Sequence, residues 1–136
     1  MEVFSMSPTG GLKLFDGLYT GLENVLDLRR AQHAVGASNL ANANTPGYLA
    51  KEAPFDALLL EVMDRPLAGE SVSPEARVME TMTEVAAPES SLDGNSVNAE
   101  TEATRLMENR VMYEAVAGGL SRRLAMLRFA ASDGKI

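Results

Sequence analysis

Apolar residues recur at helical spacing over both ends of this chain and lose their order between them. In the first part Phe15, Leu18, Leu22, Val25 and Leu26 keep to steps of three and four, and Leu12, Tyr19 and Leu28 widen the stripe. Past Arg29 the stripe thins to Ala31, Val35, Ala37 and Leu40, mostly small residues suited to close packing. Pro46 disfavours the α region at Thr45, and Gly47 readily takes positive φ. The pattern predicts a helix from about residue 12 to about residue 43, roughly 48 Å long.

The last part is more regular. Leu106, Tyr113, Leu120 and Leu127 recur at intervals of seven, and Ala103, Arg110, Ala117, Leu124 and Ala131 form a companion set. Together they read as the two positions of a coiled-coil seam over nearly four heptads. Asp93-Gly94 is a turn signal, and Asn98 is placed to cap a helix whose first turn holds Glu100 and Glu102. Arg122, Arg123 and Arg128 lie near its other end, where cations suit the helix dipole. This helix, from about residue 98 to about residue 131, would be roughly 51 Å long, matching the first.

Between them Pro54, Pro66, Pro74 and Pro88 interrupt any regular element. One short helical stretch stands out at residues 55–63, with Phe55, Leu58, Leu59 and Val62 on a face. The polar run after Pro66 fits strand, turn or disorder equally. The expected organisation is an N-terminal extension over 1–11, a helix with its terminating turn over 12–50, an irregular acidic middle over 51–95 and a second helix over 96–136. The expected fold class is mainly α, with the two terminal amphipathic helices pairing as an antiparallel coiled coil. Two helices make a ribbon rather than a closed core, so neighbouring copies or other chains are expected to cover the remaining apolar surface. The residues expected to carry that assembly are Leu18, Leu22, Leu26, Leu106, Tyr113, Leu120, Leu124 and Leu127.

Charge sharpens the division. Of a net −7 over 136 residues, positions 1–50 hold −1, positions 51–102 hold −9 and positions 103–136 hold +3. The overall sign is wrong for a nucleic-acid surface. With no Cys and a single His, His33, thiolate metal sites and multi-histidine centres are excluded, and no catalytic set, metal site or cofactor site is expected. Glu100 and Glu102 are two apart and point to different sides of a helix, as solvated charges do. Residues 1–15 lack a basic start followed by an apolar run, and the uncharged stretch 31–50 is rich in Asn and Gln, so neither a cleaved signal peptide nor a membrane span is expected. Gly17 with Gly21, and Gly118 with Gly119, lie inside the expected helices at a cost of about 0.5–1 kcal/mol each relative to Ala. They mark either a kink or an intimate helix–helix contact.

The most specific string is Ser38-Asn39-Leu40-Ala41-Asn42-Ala43-Asn44-Thr45-Pro46-Gly47-Tyr48. Physically it ends a helix with side chains able to satisfy the last carbonyls. It also resembles the signature of the flagellar axial proteins, the rod, hook and related subunits. Ser91-Leu92-Asp93-Gly94-Asn95-Ser96-Val97, then Glu108-Asn109, Tyr113-Glu114-Ala115, Leu120-Ser121-Arg122-Arg123 and Leu127-Arg128, resemble the FlgB-type family of proximal-rod proteins. The likeness covers about 15–62 and 91–131. It departs at Asn98, where an acid is common, at Gly118-Gly119 and at the extended start. What it implies is a structural rod subunit of the bacterial flagellar basal body, in the periplasm. Such a subunit is exported by the flagellum's own apparatus, self-associates and contacts other rod subunits and the membrane-ring or export-gate adaptor. The rod it builds transmits torque and conducts exported subunits. The family motif residues are Asn39, Leu40, Asn42, Asn44, Thr45, Pro46, Gly47 and Tyr48. A rod subunit of the FlgC type, or a cytoplasmic helical adaptor or chaperone, are the alternatives. No nucleic acid or small-molecule substrate is expected.

Overall fold

The computed structural model describes residues 9–64, 73–89 and 91–132, with only the backbone at 9–16. The start of the expected N-terminal extension and residues 65–72 of the expected irregular middle lie outside the described residues. The chain is mainly helical: α1 (Thr9–Ala41), β1 (Lys51–Glu52), α2 (Phe55–Asp64), α3 (Pro74–Thr81), β2 (Thr83–Glu84) and α4 (Ala99–Ala131). The two long helices pack against each other. Asn109 of α4 reaches the Arg29 carbonyl of α1, and Leu106 and Glu102 lie over Gly36, so partner numbers fall along α4 as they rise along α1.

The buried line of α1 runs through Gly21, Val25, Leu28, Gly36 and Asn39, one helical face, with half-buried Gln32 filling the gap between Leu28 and Gly36. It is rotated from the expected one, and Leu18 stands 40% exposed. On α4 the inward positions are Glu102, Leu106, Asn109, Tyr113, Val116 and Leu120, alternating by four and three. The interval-of-seven set at Leu106, Tyr113 and Leu120 therefore faces α1, whereas the expected companion set is displaced by one residue. Arg110 and Leu124 point outward, and Glu102, Asn109 and Val116 hold the positions expected for Ala103, Arg110 and Ala117. A search for apolar companions passes over Glu102 and Asn109 because both are polar.

The middle segment is more regular than its prolines suggest. Ser73 caps α3 by accepting the Ala76 N–H at 3.2 Å, and Pro74 occupies the first turn, where its missing N–H costs nothing. A proline read as a breaker is here a starter. Leu58 and Val62 of α2, one turn apart, close with Val78 of α3 over Val25 and Leu28 of α1 to form the core. Arg77 straps α3 to α2 through Glu61 at 3.4 Å. β1 and β2 pair antiparallel, Lys51 against Glu84 and Glu52 against Thr83, which returns the chain to the end of α1.

Candidate functional site

Two separated strings meet where α1 ends. Backbone bonds from Asn42 to Ser38 and Asn39, and from Thr45 to Asn42, wind down the helix, and the Asn42 side-chain amide donates to the Ser38 carbonyl at 2.8 Å. Gly47 then takes φ +73°, a conformation that costs a side-chain-bearing residue about 1–2 kcal/mol. Gly94 does the same at φ +71° within the second string. The two turns dock: the Gly47 N–H donates to the Asp93 carbonyl at 2.8 Å, and the Ser96 N–H to the Tyr48 carbonyl at 3.1 Å.

Asn95 locks this junction. Its side-chain amide donates to the carbonyls of Asn42, Ala43 and Thr45 at 2.9, 3.1 and 2.9 Å, and its own oxygen accepts the Val97 N–H at 2.7 Å. A residue fifty positions downstream thus satisfies carbonyls of the turn that follows α1, beyond the reach of the helix's own N–H groups. Asp93 holds the turn by accepting the Asn95 N–H at 3.1 Å and the Ser91 hydroxyl at 3.0 Å. Those two donors keep its carboxyl below the usual carboxylate range. The Ser96 hydroxyl accepts the Ala50 N–H at 2.7 Å, and Asn39, 1% exposed, grips the Lys51 backbone.

Within the first string Asn39, Asn42, Thr45, Gly47 and Tyr48 take part in the junction, the Tyr48 hydroxyl lying 3.4 Å from Asn39 Oδ1. Leu40, Asn44 and Pro46 are exposed. Leu22, Leu26, Leu106, Tyr113 and Leu120 are half-buried, while Leu127 and Leu124 are 39% and 41% exposed beside Met126 and Phe129. Gly118 and Gly119 face open space in this chain, so the close helix contact considered for them is absent here. The close approach occurs at Gly36, where a Cβ would lie 3.0 Å from Leu106 Cδ2. Sequence reasoning missed Gly36 and Asn109, and it read Glu102 as a solvated charge where the structure buries it at 6% exposure, while Glu100 is exposed as expected. Glu102 is held by Arg105 at 3.2 Å, which also bridges to Glu52 at 2.7 Å.

Among the described residues no helix is long and apolar enough to cross a membrane, and no group of acidic or histidine side chains is arranged to hold a metal ion. The arrangement offers a helix-end lock and a set of uncovered apolar side chains at the outer end of α4. The family described as flagella basal body rod protein matches over residues 18–48, the stretch from mid-α1 to the end of the first string. The flagellar basal body rod protein FlgB of Escherichia coli (strain K12) is 31% identical over 117 residues, spanning 75% of this chain and 83% of the relative. The protein of the same description from Bacillus subtilis (strain 168) is 29% identical over 129 residues, spanning 91% and 100%. That from Yersinia enterocolitica is 32% identical over 125 residues, spanning 79% and 90%.

Proposed function

This chain belongs to the FlgB-type flagellar basal body rod proteins, and we propose that it builds the rod through the apolar side chains that the outer end of α4 leaves uncovered. It is a structural subunit of the flagellar basal-body proximal rod. The observation that carries the assembly reading is the outer end of α4, where Leu124, Met126, Leu127 and Phe129 are all exposed on one chain. Exposed apolar surface of that kind marks a place where another protein docks. The cover comes from neighbouring rod subunits, copies of this chain among them, and from the adaptor that joins the rod to the membrane ring. Leu18, Leu124 and Leu127 supply the contact, and Leu22, Leu26, Leu106, Tyr113 and Leu120, half-buried, belong to the helix pair that presents them.

In the same reading α1 and α4 form an antiparallel coiled coil, supported by the four-three alternation on α4 and the falling partner numbers. The terminal helices are the assembly unit. The acidic middle, whose α2 and α3 pack on α1, gives each subunit its small private core. The role is structural rather than catalytic, served in the periplasm after export without a cleaved signal. The test is fractionation: a tagged chain should co-purify with intact basal bodies and vanish from them in a Leu124→Asp strain. A chain recovered only as a soluble cytoplasmic dimer would overturn the reading and favour the adaptor.

A further inference from the structure

A second feature lies between the long helices, away from the junction. Arg29, Arg30 and His33 of α1 and Asn109, Arg110 and Tyr113 of α4 enclose a slot of about 310 Å³ whose reachable wall is mostly carbon. Its charged lining is three arginines against Glu114; Arg110 pairs with Glu114 at 2.9 Å and Arg30 with Asp27 at 3.7 Å, exposed and weak pairs that leave the slot net positive. Two polar atoms in its walls, Arg29 Nε and Asn109 Oδ1, are buried without a hydrogen-bond partner. Asn109 is 3% exposed and spends its amide nitrogen on the Arg29 carbonyl. Both atoms are sealed from solvent, so they mark imperfect packing of α1 on α4 beside the slot rather than a polar partner for its occupant.

The fitting shape is on the same chain, on a surface that its own fold turns outward. α3 buries Pro74 and Val78 and leaves Met79 73% exposed, with Glu75 one turn before it and Glu80 beside it. It presents a flexible apolar knob between two carboxylates, in the segment that carries most of the negative charge. We infer that the slot between α1 and α4 receives Met79 of α3 from a second copy of this chain, with Glu75 and Glu80 set against Arg30 and Arg110. Slot and knob are different patches, so the contact is head-to-tail and propagates, as a tubular assembly requires. Charge complementarity orients it: the slot's arginines meet the acidic middle and repel the basic end of α4. The inference rests on the rod reading above and assigns one of its contacts.

The chain has no Cys, so an engineered pair reports without background. His33→Cys with Met79→Cys, the sole copy in a cell, should give a disulfide-linked ladder of this chain in mildly oxidised basal bodies. A bridge demands Cα atoms within about 7 Å. Neither single variant should give the ladder. A second arm reverses charge: Glu75→Arg with Glu80→Arg should abolish swimming, and adding Arg30→Glu with Arg110→Glu should restore it. Basal bodies that contain the double-cysteine chain without the ladder overturn the docking alone, as does a bridge closed within one chain or to a different polypeptide. Failure of the charge swap to restore swimming does the same. Absence of the unmutated tagged chain from basal bodies overturns the docking and the rod reading together.

Discussion

Asn39 holds the Lys51 backbone at both ends: its amide nitrogen donates to the Lys51 carbonyl and its oxygen accepts the Lys51 N–H, each at 2.9 Å. A side chain thereby stands in for a neighbouring β-strand and fixes the direction in which the chain leaves α1. Asn39→Ala should destabilise the subunit by about 1–3 kcal/mol, because buried groups lose their partners. Asn39→Asp keeps the acceptor and loses the donor. Amide exchange separates the two: the Lys51 amide stays protected in Asn39→Asp and exchanges in Asn39→Ala.

Gly47 and Gly94 differ in surroundings but share a reason for being glycine. A Cβ at Gly47 would meet nothing within 4 Å, and one at Gly94 would make ordinary contact with Gly47 Cα at 3.7 Å. The cost of Ala at either is therefore conformational, about 1–2 kcal/mol. Asn tolerates positive φ, so Gly47→Asn should recover much of what Gly47→Ala loses. Thermal melts of the two variants check the order.

The glycines within the long helices should respond in opposite ways. Gly118→Ala meets open space and should stabilise the isolated subunit by about 0.5–1 kcal/mol through helix propensity. Gly36→Val pushes into Leu106 and should cost on the order of 1–3 kcal/mol by forcing α1 and α4 apart. Denaturant midpoints measure both. Reduced swimming in a stabilised Gly118→Ala strain would place a neighbour's backbone at that position.

On α4, Leu124→Asp should leave the folding and solubility of the free subunit unchanged and block rod assembly. The side chain is 41% exposed in one chain and becomes costly only when a neighbour buries it, where an unpaired charge costs several kcal/mol. Leu120→Asp, half-buried against α1, should impair both. Circular dichroism of the purified chain, set beside swimming assays, distinguishes the two variants.

Acid should loosen the junction through Asp93. Its carboxyl is held below the ordinary range by the Asn95 N–H and the Ser91 hydroxyl, so the ionised form stabilises the fold above about pH 4. That contribution disappears as pH falls through the lowered folded-state value. Asp93→Asn removes the titration, so its melting temperature should fall less steeply between about pH 5 and 3 than that of the unaltered chain.

The elements closest to a single local rule were legible in the amino-acid order. Helical periodicity located α1, α2 and α4, and Asn98 caps α4 as its side chain dictates, accepting the Thr101 N–H at 2.9 Å. The junction was half legible: an asparagine-rich terminator and a turn at Asp93-Gly94 are local signals, each with its own chemistry. That Asn95 would close the turn after α1 was not, because the bond joins residues fifty apart and no periodicity links them.

Register was decided by tertiary structure. Reading for apolar companions set the α4 seam one residue off, since Glu102 and Asn109 are acceptable inside only when Arg105 and the Arg29 carbonyl are there to meet them. α3 was hidden for a related reason: Pro74 starts a helix instead of breaking one when Ser73 caps it and Val78 has a core to enter. The order of residues determined which segments are helical and which strings end them. Only packing decided which face of each helix turns inward, because a polar residue's cost depends on the partner that folding brings to it.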